Sequence, residues 1–157
     1  MRAFLSAAVL AAASLALVAP ASATIDLQHG IAGVEVGMSQ KQVRAKHGSP
    51  RRIKRGRNAF GAYTIYVYAK LRLTVTFQGN RTVSSVVTTS RREQTTTGVG
   101  VGSTETDVKT SLLHVHCRTD AGRRHCFVGQ LRPGKRVTDF TLRRGRVTSV
   151  TVGLVLD

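Results

Sequence analysis

The chain has 157 residues, with 24 Lys or Arg against 8 Asp or Glu, a formal net charge of +16 at pH 7 and no Trp. So basic a balance bears on solubility and on attraction for polyanions rather than on fold. It leaves few carboxylates for acid–base work, and no nucleophile elbow, phosphate loop, zinc-protease helix or paired-carboxylate spacing appears; the sequence speaks against an enzyme and asks for no cofactor.

In chain order, Arg2 precedes an apolar run from Ala3 to Val18, followed by Pro20 and Ala21-Ser22-Ala23. This is the pattern of a secretory signal peptide over 1–23, with cleavage expected after Ala23. The run is short for a membrane span, and no second run of roughly 20 apolar residues follows. No Cys stands directly after the expected cleavage site, so a secreted, monomeric protein without a lipid anchor is expected. The roughly 130 residues that remain suit one ordinary domain, or two very small ones sharing a core.

Next comes "GVEVGMSQKQVRAKHGSP", 33–50. Ser39 reads as a helix N-cap with Gln42 three residues on, a capping box that satisfies orphan amide donors. Gly48, Ser49 and Pro50 end that helix, since Gly accepts a positive φ and Pro cannot continue it. His47, four residues after Val43, falls on the apolar face and reads as a packed residue rather than a base. "RRIKRGR", 51–57, reads as a basic loop between helix and strand. In "LRLTVTF", 71–77, Leu71, Leu73, Val75 and Phe77 alternate with Arg72, Thr74 and Thr76, the mark of a half-buried strand. It follows the strand "YTIYVY", 63–68, and a turn at 78–81 leads to a third, "TVSSVVTT", 82–89. "SRREQTTTG", 90–98, is polar and threonine-rich and reads as a linker or edge segment.

The same chemistry then returns. Gly33, Gly37, Ser39 and Val43 recur as Gly98, Gly102, Thr104 and Val108 at a constant offset of 65 residues, and Thr104 with Asp107 supplies a second capping box. "HCFVGQL" (125–131), "RVTDFTL" (136–142) and "VTSVTVGLVL" (147–156) repeat the succession of strands. The sequence therefore predicts an α+β fold of two tandem repeats, 24–90 and 98–157, joined by a linker at 91–97. Each is expected to be a helix hairpin followed by an antiparallel β-meander. The two are expected to pack as one unit, because neither half buries much core alone.

A Gly, a helix opening on Ser or Thr with a Val four residues into it, a Gly-x-Pro ending, strands closing on L-x-V-x-F, and a turn before V-x-x-V resemble the small α/β unit of outer-membrane-assembly lipoproteins of the SmpA/OmlA type. Two such units in tandem resemble the β-lactamase inhibitor protein family. The resemblance implies one long sheet with helices on one side and a non-catalytic, inhibitor-like module for a protein partner at or outside the cell envelope. The chain departs from these families in lacking a lipid-acceptor Cys. It also has Leu113, His114 and Val115 where the second copy would end on Gly-x-Pro, and few aromatics to serve as interface anchors.

Three sets of residues stand out. Tyr66 and Tyr68, two apart on one strand and so on one face, form with Arg72 the candidate surface for a protein partner. Against them stand the basic clusters Arg51, Arg52, Lys54, Arg55 and Arg57, and Arg143, Arg144 and Arg146, with Arg123-Arg124 beside them. These suit a sulfate, phosphate or carboxylate polymer, in a secreted protein an acidic envelope polymer rather than nucleic acid. The third set is "HVHCRTDAGRRHC", 114–126, where Cys117 and Cys126 are expected to oxidise in an exported chain, a bond worth roughly 2–3 kcal/mol on the chain-entropy model. Imidazole and thiolate also ligate zinc or copper, which makes His114, His116 and His125 the metal alternative.

Overall fold

The structure, a computed structural model, describes residues 24–79 and 81–156, so the signal peptide expected at 1–23 lies outside the described residues. The chain opens with three two-residue strands, β1 (Ile25–Asp26), β2 (Gly30–Ile31) and β3 (Val34–Glu35), which pair as a small antiparallel sheet. Helix α1 (Gln40–His47) precedes four strands, β4 (Arg52–Asn58), β5 (Gly61–Tyr68), β6 (Leu73–Gln78) and β7 (Thr82–Thr88). Helix α2 (Glu105–Ser111) precedes four more, β8 (Val115–Asp120), β9 (Arg123–Gly129), β10 (Arg136–Arg143) and β11 (Arg146–Leu154). All eight join one antiparallel sheet in the order β4-β5-β6-β7-β11-β10-β9-β8.

The expected helix hairpins are not formed, and the fold is mostly β. Each half carries one short helix, and the stretch before α1, where a hairpin's first helix would lie, is the small sheet instead. The reason is local: Gln28, Ala32, Gly33 and Gly37 all adopt positive φ, which no helix tolerates in succession. Ile25, Ile31, Val34 and Val36 meanwhile bury as β-branched residues against the large sheet. Each half has a fourth strand besides the three named from the sequence, because the basic stretch after α1 and the His/Cys stretch after α2 pair as β4 and β8.

Both helices begin as expected. Ser39 and Gln42, and Thr104 and Asp107, form complete capping boxes. α1 ends at Gly48, whose φ is +72 and whose N–H bonds to the Arg44 carbonyl. Backbone geometry recurs at the offset of 65 residues: Gly33 and Gly98 have φ of +73° and +80°, Gly37 and Gly102 have +100° and +102°. The N–H of Gly37 reaches the Val83 carbonyl at 2.8 Å as that of Gly102 reaches Val147 at 2.8 Å. The register shifts between Thr76 and Phe77 in β6 and between Thr141 and Leu142 in β10.

The helices cover one face of the sheet, and each buries one Val in it, Val43 and Val108. Beneath them Tyr66, Leu73, Val75, Phe77, Val86, Phe140, Val150 and Val152 form a continuous core. The halves meet where β7 pairs with β11, Val150 opposite Thr88 through Gly153 opposite Ser85. The N-terminal strands strap this seam. Thr24 and Ile25 donate to the Gln94 carbonyl at 2.9 Å, and the Gln28 N–H donates to the Thr138 hydroxyl at 2.7 Å. Within 91–97 Gln94 and Thr95 are thus tied down, Thr95 buried, while Arg91, Arg92, Thr96 and Thr97 are exposed.

Gly153 is the tightest point of the seam, since a Cβ there would lie 2.8 Å from the Ser85 Cβ and 3.0 Å from the Ser84 carbonyl oxygen. Gly153→Ala should lower stability by about 1–3 kcal/mol, the usual cost of overpacking a close approach. Denaturant unfolding checks this; because the seam couples both halves, the variant should still unfold in one transition at a lower midpoint.

Candidate functional site

Alternation along β5 sends Thr64, Tyr66 and Tyr68 to the helix face and Tyr63, Ile65 and Val67 to the other, which no helix covers. Tyr66 is 0% and Tyr68 5% exposed. Arg44 donates to the Tyr66 hydroxyl at 2.5 Å, and that hydroxyl donates to Gln40 at 2.6 Å; the Tyr68 hydroxyl donates to the Gly48 carbonyl. Burial, and then neighbouring Tyr66, push the Tyr68 phenol pKa up, with Arg44 pulling the other way. The two tyrosines hold α1 onto the sheet and are not anchors on a free surface. Of the three residues expected to meet a protein partner, Arg72 alone is exposed, in the turn between β5 and β6.

The histidines do not gather. His114 is exposed before β8, and His116 lies beside Phe127, their rings 5.8 Å apart. His125 sits on the uncovered sheet face with both nitrogens occupied: Nδ1 is 2.6 Å from Asp139 and Nε2 3.1 Å from Asp120. Asp120 also takes Arg118 at 2.5 Å, and Thr141 donates to Asp139. The network lines a shallow cleft with Arg123 and Thr151. With its ring bracketed in this way His125 offers no free ligand atom.

Cys117 and Cys126 are bonded, directly opposite each other across β8 and β9. The disulfide therefore staples one hairpin and does not tie the exit of α2 to the sheet as a whole. Among the described residues, Glu105, Cys117 and Cys126 are the one group of three ligand-type side chains close enough to share a metal ion, and both sulfurs are spent in the bond.

The basic clusters, scattered in sequence, do come together. Strand order and register place the start of β4, the β5–β6 turn, the end of β7, the β10–β11 turn and the β8–β9 turn all at one end of the sheet. Along that end, from the β4 edge to β9, stand Arg51 and Arg52, then Lys70 and Arg72, then Arg91 and Arg92, then Arg143, Arg144 and Arg146, then Arg123, every one exposed. Seven strands at about 4.8 Å spacing make this row roughly 29 Å long. None of these cations forms an ion pair among the described residues. Two clefts open within it: one of about 410 Å³ lined by Lys70, Arg72, Arg91, Arg92 and Glu93, and one between Arg91 and Arg146. Lys54, Arg55 and Arg57 do not belong to this row; they continue along β4 away from it.

One cation at this end is spent internally. Arg124 grips Glu105 through two hydrogen bonds, at 2.5 and 3.1 Å, while Lys109 holds the same carboxylate at 2.6 Å. This bridge ties α2 to β9. Asp107 beside it is held below its ordinary pKa by the Thr104 backbone N–H and then its hydroxyl.

No family model matches the chain, and no curated protein matches it. Two solved structures share its fold. One is an extracellular protein containing an SCP domain from Bacillus anthracis, 14% identical, with a TM-score of 0.52 over 92% of this chain and 50% of that one. This chain thus spans about half of that protein's length. The other is a DUF4309 family protein, YjgB, from Bacillus subtilis, 17% identical, with a TM-score of 0.51 over 86% of this chain and 90% of that one. By description neither is an assembly lipoprotein or a β-lactamase inhibitor. No helix among the described residues is long and apolar enough to cross a membrane, and the intramolecular disulfide fits an exported protein.

The Glu105 bridge generates a pH dependence. The Arg124 hydrogen bond first, and the Lys109 one second, pull the Glu105 pKa from 4.5 down to about 2. With the folded value depressed, the unfolded chain takes up the proton first, so the bridge's stabilisation is complete above the unfolded value and is lost as pH falls toward the folded one. Glu105→Gln should be less stable than wild type near neutral pH. The two denaturation midpoints should converge as pH is lowered to about 2, checked by denaturant unfolding across that range.

Proposed function

We propose that this is a secreted, non-catalytic binding protein that engages a linear polyanion along the basic end of its sheet. One observation carries the reading: turns and strand ends from both halves, remote in sequence, align in a single row exposed cations that form no ion pair among the described residues. Arg predominates there, and its guanidinium fork suits sulfate, phosphate and carboxylate oxygens. A row of about 29 Å matches an extended polymer better than a small anion. In an exported protein the fitting partner is an acidic polymer of the envelope or its surroundings. This keeps the non-catalytic part of the inhibitor-type resemblance and moves the contact from a tyrosine face, which is buried, to the end of the sheet.

Ion contacts of this kind release counterions, so affinity falls linearly with salt on a log–log scale. Dextran sulfate and long-chain polyphosphate, immobilised separately, are the probes. The triple variant Arg72→Glu, Arg91→Glu, Arg144→Glu should bind both at least about tenfold more weakly, with a shallower salt slope. A control of equal charge change at the opposite end, Arg57→Glu, Arg81→Glu, Arg132→Glu, should lose far less. Equal losses in the two triples would reduce the row to net charge alone and overturn the reading.

A further inference from the structure

Strand β4 is an edge strand that shares only its first residue, Arg52, with the row just described. We infer that its outer edge accepts an extended acidic segment of another polypeptide as a ninth strand of the sheet. Among the described residues nothing pairs with that edge: β4 bonds to β5 alone, and no backbone hydrogen bond from elsewhere reaches it. The edge is regular, running without a register shift from Arg52 opposite Val67 to Asn58 opposite Gly61. It contains no Pro and no bulge, two of the devices by which edge strands are usually blunted.

Its side chains select the partner. Arg52 and Lys54 share the uncovered face with Val67 and Ile65, while Arg55 and Arg57 share the helix face with Thr64 and Ala62. An added strand therefore meets cations on both of its faces at every second position, and none of these four is engaged in an ion pair among the described residues. Antiparallel pairing of β4 with a second copy of itself would align like charges, so the chain's own edge is the wrong occupant. The opposite edge, β8, offers mixed charge already neutralised by the Arg118–Asp120 pair.

Gly56 completes the arrangement. The Tyr63 phenol lies directly over it, in space that any side chain at 56 would occupy. The glycine thus lets an aromatic ring from β5 reach across the edge strand, covering its backbone and bringing apolar surface to where an added strand would lie. Strand addition draws affinity from main-chain hydrogen bonds and specificity from alternating side chains, which is what this edge presents.

The test uses the protein from residue 24 to 157 and two nine-residue peptides with the core Glu-Thr-Glu-Glu-Thr-Glu, which sets carboxylates on both faces opposite Arg52, Lys54, Arg55 and Arg57, identical but for N-methylation of alternate backbone nitrogens in one. The unmethylated peptide should bind at physiological salt by calorimetry and slow hydrogen exchange at alternate β4 amides; the methylated one should bind at least about tenfold more weakly. Equal binding of both peptides, with no protection of β4, would overturn strand addition in favour of charge alone. No binding by either would make the basic edge a guard against sheet-to-sheet aggregation only. Lys54→Glu with Arg55→Glu should abolish peptide binding and spare dextran sulfate binding, while the triple variant at the basic end should do the reverse, so the two readings fail separately.

Discussion

Everything in this molecule depends on the antiparallel pairing of β7 with β11, four residue pairs long. Without it there are two four-stranded sheets of some 60 residues each, below the size at which a single apolar face sustains a fold. With it there is one sheet whose central strands bury Val86, Val150 and Val152 completely. Because the pairing is antiparallel, it also relates the halves by an approximate two-fold axis through the seam, so corresponding turns fall at opposite ends of the sheet. The β10–β11 turn lies at one end, and its counterpart between β6 and β7 lies at the other. The clustering of Arg at one end is therefore not inherited from the recurrence of the fold. It needs the β5–β6 turn of one half and the β10–β11 turn of the other to be basic independently.

The halves fasten their helices by different chemistry. Under α1 the sheet offers an aromatic cluster, Tyr66 edge-on to Phe77 with centroids 4.8 Å apart, and hydrogen bonds from Tyr66 to helix side chains. In the second half the matching positions of β9 hold the smaller Cys126 and Val128, beside Phe140 of β10. There the Cys117–Cys126 bond and the Glu105–Arg124 bridge lie. The crosslink acts mainly by restricting the unfolded chain, the bridge by joining α2 to β9 directly. A helix of 7 residues that buries one side chain has little intrinsic stability, which makes the capping box and the bridge decisive for its position.

Much of this was legible in the sequence. Capping boxes announce both helix starts because Ser or Thr followed by Gln or Asp three residues on has one economical use. Six strands are legible as short runs between turns, β6 most plainly by its apolar alternation. β4 and β8 are not: β4 is exposed almost throughout, and in β8 only Val115 and Cys117 turn to the core, too few to set a period. The signal that could have revealed β4 is the turn stretch Asn58 to Gly61 directly after it, which closes a hairpin with β5. The strands β1–β3, two residues each, fall below any pattern. Alternation puts Tyr66 and Tyr68 on one face but does not say which face a helix covers. That the basic clusters share an end was beyond reach, since it follows from strand order and strand order is set by non-local pairing.

A row of unpaired cations repels itself and weakens the compact state. At physiological ionic strength, however, the screening length is about 8 Å, close to the spacing of alternate strands at roughly 9.6 Å. Each cation then feels chiefly its nearest neighbours, and the self-repulsion stays local and tolerable for so small a fold. The same screening shapes recognition. A ligand gains from each cation separately as it extends along the row, not from a single focused potential. On the reading proposed for this protein, affinity therefore grows with polymer length until the sheet end is spanned and rises little beyond it. That dependence on length, set by strand spacing and strand number, distinguishes a built row of sites from the diffuse attraction of any basic protein for any acid.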